Sequence, residues 1–267
     1  MFEARVAQAE ILKKILDSVR ELVEQGNLDC SGTGISLQAM DSSHVSLVAL
    51  LLKSEGFERY RCDRSINLGI NMQSLGKIVK TAGNHDAITL SSEDKGDVLG
   101  LMFESTEQDK VSNYEIKLMD VDAEQLAIPV AEYSVCVRMP SAEFARITRD
   151  LSTIGDSVLI SCTKDGVQFS TTGDTGSGSI VLRQSSSVDD EKKAVVIEVQ
   201  EPISLSFATK FLVQFSKSAA LNESVTLNLG DGVPLMVEYP MKEMGYVRFY
   251  LAPKLSNESD DEEDGEE

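Results

Sequence analysis

The sequence predicts an α+β protein built from two similar domains, each of antiparallel sheet with two helices. Three observations predict it. About nine strand-like runs precede residue 118 and about nine follow residue 134, only four segments carry helical spacing, and the order of helices and strands occurs twice.

In chain order, residues 9–24 form the first expected helix, with Ile11, Leu12, Ile15, Leu16 and Val19 on one face. Strand alternation follows at 35–40, 45–50 and 66–70, and a second helix at 72–82 carries Leu75, Ile78 and Val79. After the middle of the chain, a third helix is expected at 141–154, strands at 158–162, 167–170 and 203–207, a fourth helix at 209–219, and strands at 225–229 and 235–239. Turn chemistry separates many of these: Thr33-Gly34, Asp165-Gly166 and Gly230-Asp231-Gly232. Gly32-Thr33-Gly34 and Gly176-Ser177-Gly178 lack the third glycine of a dinucleotide fingerprint and are taken as turns.

The repeat is visible in residues as well as in pattern. Leu28-Asp29-Cys30 with Gly34-Ile35-Ser36-Leu37 matches Ile160-Ser161-Cys162 with Gly166-Val167-Gln168-Phe169 at an offset of 132. Ile66 to Ile70 matches Ile203 to Phe207 at an offset of 137, which also carries Lys80 onto Lys217. One ancestral domain used twice presents equivalent faces in each copy. The expected division is a first domain at 1–117, an extended acidic connector at 118–134 with Asp120, Asp122, Glu124 and Glu132, a second domain at 135–255 and a tail at 256–267. That tail holds eight acids and no base, too little apolar surface to order itself.

Composition narrows the function. The 267 residues, 42% hydrophobic, suffice for a sizeable core, and no run approaches the ~20 apolar residues of a membrane span. Met1-Phe2-Glu3-Ala4-Arg5-Val6 is no signal peptide, so a soluble intracellular protein without a membrane role is expected. Cys30, Cys62, Cys136 and Cys162 lack CxxC spacing, which favours buried free thiols over zinc or disulfides.

The net charge is -19, yet nine of the 25 Lys and Arg sit on the four helical segments: Lys13, Lys14, Arg20, Lys77, Lys80, Arg146, Arg149, Lys210 and Lys217. Against six acids there, the helices total +3 and the remainder -22. One such helix is an ordinary solvated face. Four in equivalent places make one repeated basic surface.

Catalytic chemistry finds little support. There are two histidines, and Asp41-Ser42-Ser43-His44 places the three types too close in sequence for an independently oriented triad. No GxxxxGK[ST] loop exists, His85 follows Gly83-Asn84 in a surface turn, and Asp189-Asp190-Glu191 beside Lys192-Lys193 is a polar loop rather than a metal site. No catalytic residue, metal or cofactor is expected.

Met1-Phe2-Glu3-Ala4-Arg5, Met40-Asp41-Ser42-Ser43-His44-Val45-Ser46-Leu47-Val48, Ser54-Glu55-Gly56-Phe57, Tyr60-Arg61-Cys62-Asp63-Arg64, Phe144-Ala145-Arg146-Ile147, Lys164-Asp165-Gly166-Val167 and Tyr250-Leu251-Ala252-Pro253-Lys254 resemble the eukaryotic sliding-clamp family, proliferating cell nuclear antigen. The likeness runs from residue 1 to about 255. It implies the DNA clamp fold: a homotrimeric ring of six similar domains, helices lining the hole and sheets forming the wall. It also implies a nuclear polymerase processivity factor and docking platform in replication and repair.

The resemblance assigns residues. The nine helical cations, with Lys110, would face double-stranded DNA through its phosphates without reading bases. The trimer interface would comprise Asp109, Lys110, Tyr114 and Lys117 on one edge and Thr175, Ser177, Ile180 and Arg183 on the other. A pocket for a short motif of glutamine, aliphatic and aromatic residues would take in Met40, His44, Val45, Leu47, Leu126, Ile128, Tyr133, Pro234, Tyr250, Leu251, Ala252 and Pro253. Composition alone would put Met40 and Leu47 in a core and His44 at a strand end. The partners implied are DNA polymerase delta, the clamp loader replication factor C, flap endonuclease and DNA ligase. Lys164, by itself an ordinary hairpin lysine, matches the site served by the ubiquitin-conjugating machinery in damage tolerance and translesion synthesis. Thr153 and Ala127 depart from the family's frequent histidine and glycine. Two rivals stand beside this: a subunit of a mixed clamp, and an enzyme using acidic residues.

Overall fold

The computed structural model describes residues 1–93, 96–107, 109–122, 132–185 and 194–254. The first half runs β1 (Phe2–Val6), α1 (Ala9–Val19), β2 (Gln25–Ser31), β3 (Gly34–Met40), β4 (Ser46–Lys53), β5 (Arg59–Cys62), β6 (Ile66–Asn71), α2 (Met72–Val79), β7 (Ala87–Ser92), β8 (Val98–Glu104) and β9 (Val111–Lys117). The second repeats that order: β10 (Val135–Pro140), α3 (Ser141–Ser152), β11 (Ser157–Thr163), β12 (Gly166–Gly173), β13 (Gly176–Leu182), β14 (Val196–Val199), β15 (Ile203–Ala208), α4 (Thr209–Ser216), β16 (Ser224–Leu229), β17 (Leu235–Pro240) and β18 (Gly245–Leu251). Among the described residues there are therefore nine strands on each side of the connector, all paired antiparallel.

The strands form because alternate residues have one apolar face to bury. In β8 and β16 every second residue is buried, and Leu99, Leu101, Val225, Leu227 and Leu229 are almost wholly enclosed. The hydrophobic core is continuous through both halves, with Phe144, Phe169, Phe207, Phe215 and Phe249 fully buried and the Phe215 and Phe249 rings stacked 4.6 Å apart.

Each helix ends earlier than its apolar spacing suggests. Asn71 starts α2 by accepting the Ser74 N–H at 2.8 Å. At the end of α3, Ser152 and Thr153 donate their hydroxyls to the Arg149 and Asp150 carbonyls, so the helix stops at Ser152 rather than at 154. Helix α1 closes at Val19, not 24, because Leu22 and Val23 both turn back onto the Val19 carbonyl. Helix α2 ends at Val79 with Lys80 as its cap, and α4 gives way after Ser216 to a 3₁₀ turn at Lys217–Ala220. Gly176-Ser177-Gly178 also departs from its expectation as a turn: Gly176 pairs with Gly173, so these residues open β13 and the hairpin turn is Asp174-Thr175. Only Cys30 and Cys162 of the thiols are buried; Cys62 is half-buried against the core at the end of β5, and Cys136 is half-buried on the face of β10 away from the core.

The repeat holds at the level of register. Cys30 faces Ile35, and Cys162 faces Val167, at the same offset of 132. Two sheets of five (β5-β1-β7-β8-β9) and four (β13-β12-β11-β15) strands belong to single halves. The third has nine, β14-β10-β16-β17-β18-β4-β3-β2-β6, and crosses from one half to the other where β18 pairs with β4, Gly245 opposite Leu52 through Leu251 opposite Ser46.

The connector begins by covering the β6 edge of that sheet. Met119 donates its N–H to the Gly69 carbonyl at 3.0 Å, and the Asn27 amide donates to the Val121 carbonyl at 3.0 Å. Gly69 is required there, since a Cβ would lie 2.0 Å from the Met119 carbonyl oxygen. Gly69→Ala should therefore detach this segment and lower stability by about 1–3 kcal/mol, read by calorimetry. No helix among the described residues is long and apolar enough to cross a membrane. The tail at 256–267 and the Asp189-Asp190-Glu191-Lys192-Lys193 loop lie outside the described residues.

Candidate nucleic-acid and partner interfaces

The four helices make one layer. Helix α1 packs on α2 and α3 on α4, while the 3₁₀ turn at Lys217–Ala220 touches both α1 and α3 and so joins the two pairs. Nine of the ten sequence-identified cations for DNA lie on this layer: Lys13, Lys14 and Arg20 on or capping α1, Lys77 and Lys80 on α2 and its cap, Arg146 and Arg149 on α3, Lys210 on α4, and Lys217 at the 3₁₀ turn. Lys110 is elsewhere, in the exposed turn before β9, its N–H on the Ser105 hydroxyl.

These cations differ in availability. Lys13 donates to the Ala82 carbonyl and the Asn84 amide oxygen, which ties it to the loop after α2. Lys14 pairs with Glu10 at 2.7 Å, and Arg146 stands 3.7 Å from Asp150. Arg20 lies over Gly76, where an added Cβ would meet its Cδ at 3.1 Å, and pairs with Asp17 at 3.0 Å. Asp17 also holds Lys80 at 3.2 Å, and Glu21 holds Lys217 across 196 residues of chain. Lys77 has no carboxylate partner among the described residues, and Lys210 sits 4.6 Å above the Phe211 ring.

On the opposite face, the crossing between halves carries an apolar row. Met40 faces Leu47, Leu47 faces Tyr250, and Tyr250 faces Met236, so four strands from both halves contribute one residue each. Leu47 and Tyr250 are covered, Met40 is half-buried and Val45 is 36% exposed beside them. Burial raises the phenol pKa of Tyr250 and of Tyr133, and both feel the Arg248 guanidinium, which lies 3.9 Å above the Tyr246 ring and pairs with Glu238. Pro234, Ala252 and Pro253 flank this row at the chain's surface, whereas Leu251 points the other way and is fully buried in the core. Leu126 and Ile128 lie outside the described residues.

The loop from β3 to β4 is built around one carboxylate. Asp41 accepts the N–H groups of Ser43, Val45 and Ser46 at 2.8, 2.9 and 2.6 Å and the hydroxyls of Ser43 and Ser46. Burial alone would raise its pKa, but the Ser43 hydroxyl and the three N–H groups outweigh that and hold it down to about 2. The same turn holds His44 at φ 56, left-handed for a residue with a Cβ. Asp41, Met236 and Arg248 are absent from the sequence-derived set. The Asp-Ser-Ser-His string was an available signal for Asp41, as an Asx turn.

Strands β9 and β13 each end a sheet, as β5, β6, β14 and β15 do. Val111 on β9 and Val181 on β13 are 54% and 53% exposed, the most exposed large apolar residues described. Tyr114 is half-buried against Phe103, ring centroids 5.1 Å apart, and Lys164 is exposed in the two-residue turn between β11 and β12. Among the described residues no group of three His, Cys, Asp or Glu is placed to hold a metal ion.

Comparison with protein families gives two matches. Residues 1–126 match the model for proliferating cell nuclear antigen, N-terminal domain, and residues 127–254 match that for proliferating cell nuclear antigen, C-terminal domain.

Proposed function

The chain belongs to the proliferating cell nuclear antigen family, the non-enzymatic DNA sliding clamps that act as polymerase processivity factors, and from that premise we propose how its own residues hold DNA, copies of itself and partners. The observation that carries the proposal is the continuous helical layer, which gathers nine of the 25 Lys and Arg of an acidic protein. Lys and Arg on such a layer attract phosphates without reading bases, so the ring is held by topology while the duplex remains free to slide. Replacing Lys77, Lys80, Arg149 and Lys217 together by Ala should impair loading and processive synthesis on primed circular DNA while leaving the trimer intact. Wild-type processivity in that variant would refute the lining assignment.

Three copies close the ring through β9 of one and β13 of the next, and the internal repeat supports both the strands and their register. Arg5, Thr89, Met102 and Asn113 stand in line across the first half, as Arg138, Thr226, Glu238 and Arg248 do across the second. Asn113 is thus equivalent to Arg248, and β9 to β18. By the same ladders Leu52 is equivalent to Leu182, and β4 to β13. Inside the chain β18 joins β4 with Tyr246 opposite Leu51. Carrying that register to the free edges sets Val111 opposite Val181 and Tyr114 opposite Gly178, with Asp109, Lys110, Lys117, Thr175, Ser177, Ile180 and Arg183 around them. The two exposed valines cover one another. A chain whose own two edges match in this way favours a homotrimer over a mixed clamp.

The apolar row on the outer face takes the short partner motif, with Met40, Leu47 and Tyr250 as its floor and Met236 as an addition. On this reading the partners are DNA polymerase delta, replication factor C, flap endonuclease and DNA ligase in the nucleus. Lys164, exposed in its hairpin, is the site offered to the ubiquitin-conjugating machinery.

A further inference from the structure

We propose that Asp17 and Glu21 are brakes on DNA binding: carboxylates that occupy three of the clamp's phosphate-facing cations, Arg20, Lys80 and Lys217, and set how tightly the ring grips the duplex. The inference rests on the DNA-lining assignment above.

Asp17 and Glu21 lie one helical turn apart, on α1 and just beyond its cap. Each engages one of two lysines that the repeat makes equivalent: Asp17 holds Lys80 of the first half at 3.2 Å, and Glu21 holds Lys217 of the second. Asp17 additionally holds Arg20 at 3.0 Å through the same oxygen. The offset of 132 carries Asp17 onto Arg149 and Glu21 onto Thr153, so the second half has no counterpart. The pair therefore occurs once per chain, at the place where the helices of the two halves meet.

Stability does not account for the arrangement. Asp17 and Glu21 are 47% and 41% exposed, and lysine pairs so open to water contribute about 0–1 kcal/mol each. Their effect on a polyanion is larger. A phosphate approaching Lys80 or Lys217 must displace a carboxylate already bound there, and it meets that carboxylate's own repulsion once it does. The cations stay within reach of the backbone, but each contact is nearly an exchange of one anion for another. Weak, interchangeable contacts are what a ring that must move along its track requires.

The test compares wild type, Asp17→Asn, Glu21→Gln, the double variant and Lys77→Ala as fluorescent rings loaded on flow-stretched duplex DNA, between 50 and 200 mM KCl. The readout is the salt dependence of the diffusion coefficient. The neutral variants should slide more slowly at low salt and respond to it more steeply, by up to about 0.9 in log–log slope for each additional phosphate engaged, or at most roughly 3.5-fold across that range, the limit in which phosphate engagement sets the rate. Lys77→Ala should shift in the opposite direction. If Lys77→Ala responds while the neutral variants keep the wild-type slope, whether or not their melting temperature falls, the brake is refuted and the lining stands. If Lys77→Ala is also indifferent to DNA, the lining assignment fails and takes the brake with it.

Discussion

Val181→Glu should leave the chain monomeric at micromolar concentration, and adding V111K to the same chain should restore the ring. Both valines are about half exposed in the isolated chain, and the proposed joint, which carries the register of the internal β4–β18 pair to the two free edges, sets them opposite one another. Enclosing each contributes about 1–2 kcal/mol. A lone carboxylate in that position adds desolvation of a charge with no partner, several kcal/mol more and repeated at every joint. The joint is head to tail, so each one contains a single residue 111 and a single residue 181, and the double variant places a lysine against every glutamate. Sedimentation velocity distinguishes the states. A trimer in the single variant would refute the edge assignment, and failure of the double variant to recover would refute the register while leaving the strands in question open to a shifted pairing.

Asp41→Ala should weaken binding of a glutamine-aliphatic-aromatic motif peptide at least tenfold with the trimer intact, measured by fluorescence polarisation. The carboxylate is the acceptor for three backbone N–H groups between Ser43 and Ser46, and together with the backbone bonds from His44 N–H to the Asp41 carbonyl and from Asp41 N–H to the Ser46 carbonyl it holds the left-handed turn at His44 that presents Val45 beside Leu47 and Tyr250. Its pKa, held near 2 against an ordinary value of 3.8, corresponds to stability on the order of 2 kcal/mol. Because the folded value is the lower one, that contribution is complete above about pH 4 and disappears as pH falls towards 2. Denaturant titrations at pH 7 and pH 3 should therefore differ less for the alanine variant than for wild type.

Much of the fold was legible because many strands bury every second residue, and alternation such as that of β8 and β16 survives in the residues. The helix ends were not, since α3 stops where Ser152 and Thr153 hydroxyls capture carbonyls while the apolar spacing runs on to Ile154. The β4–β18 crossing was invisible for a different reason: both strands alternate as any half-buried strand does, and nothing in either names its neighbour. Cations were found by counting and their placement on one layer followed from the repeat. The carboxylates that hold them were missed, because Glu21 and Lys217 are 196 residues apart and acids within a helix resemble ordinary surface pairs.

The nine-stranded sheet that crosses from one half to the other has a consequence for assembly in dilute solution. In the proposed ring of three chains it makes every second joint permanent, so only two further encounters depend on concentration. A tenfold dilution then lowers the ratio of rings to free chains by about a hundredfold, where six separate domains would suffer about a hundred-thousandfold. Duplicating the domain within one chain thus acts as a buffer against scarcity, and keeps the ring closed at abundances where a six-piece version would have fallen apart.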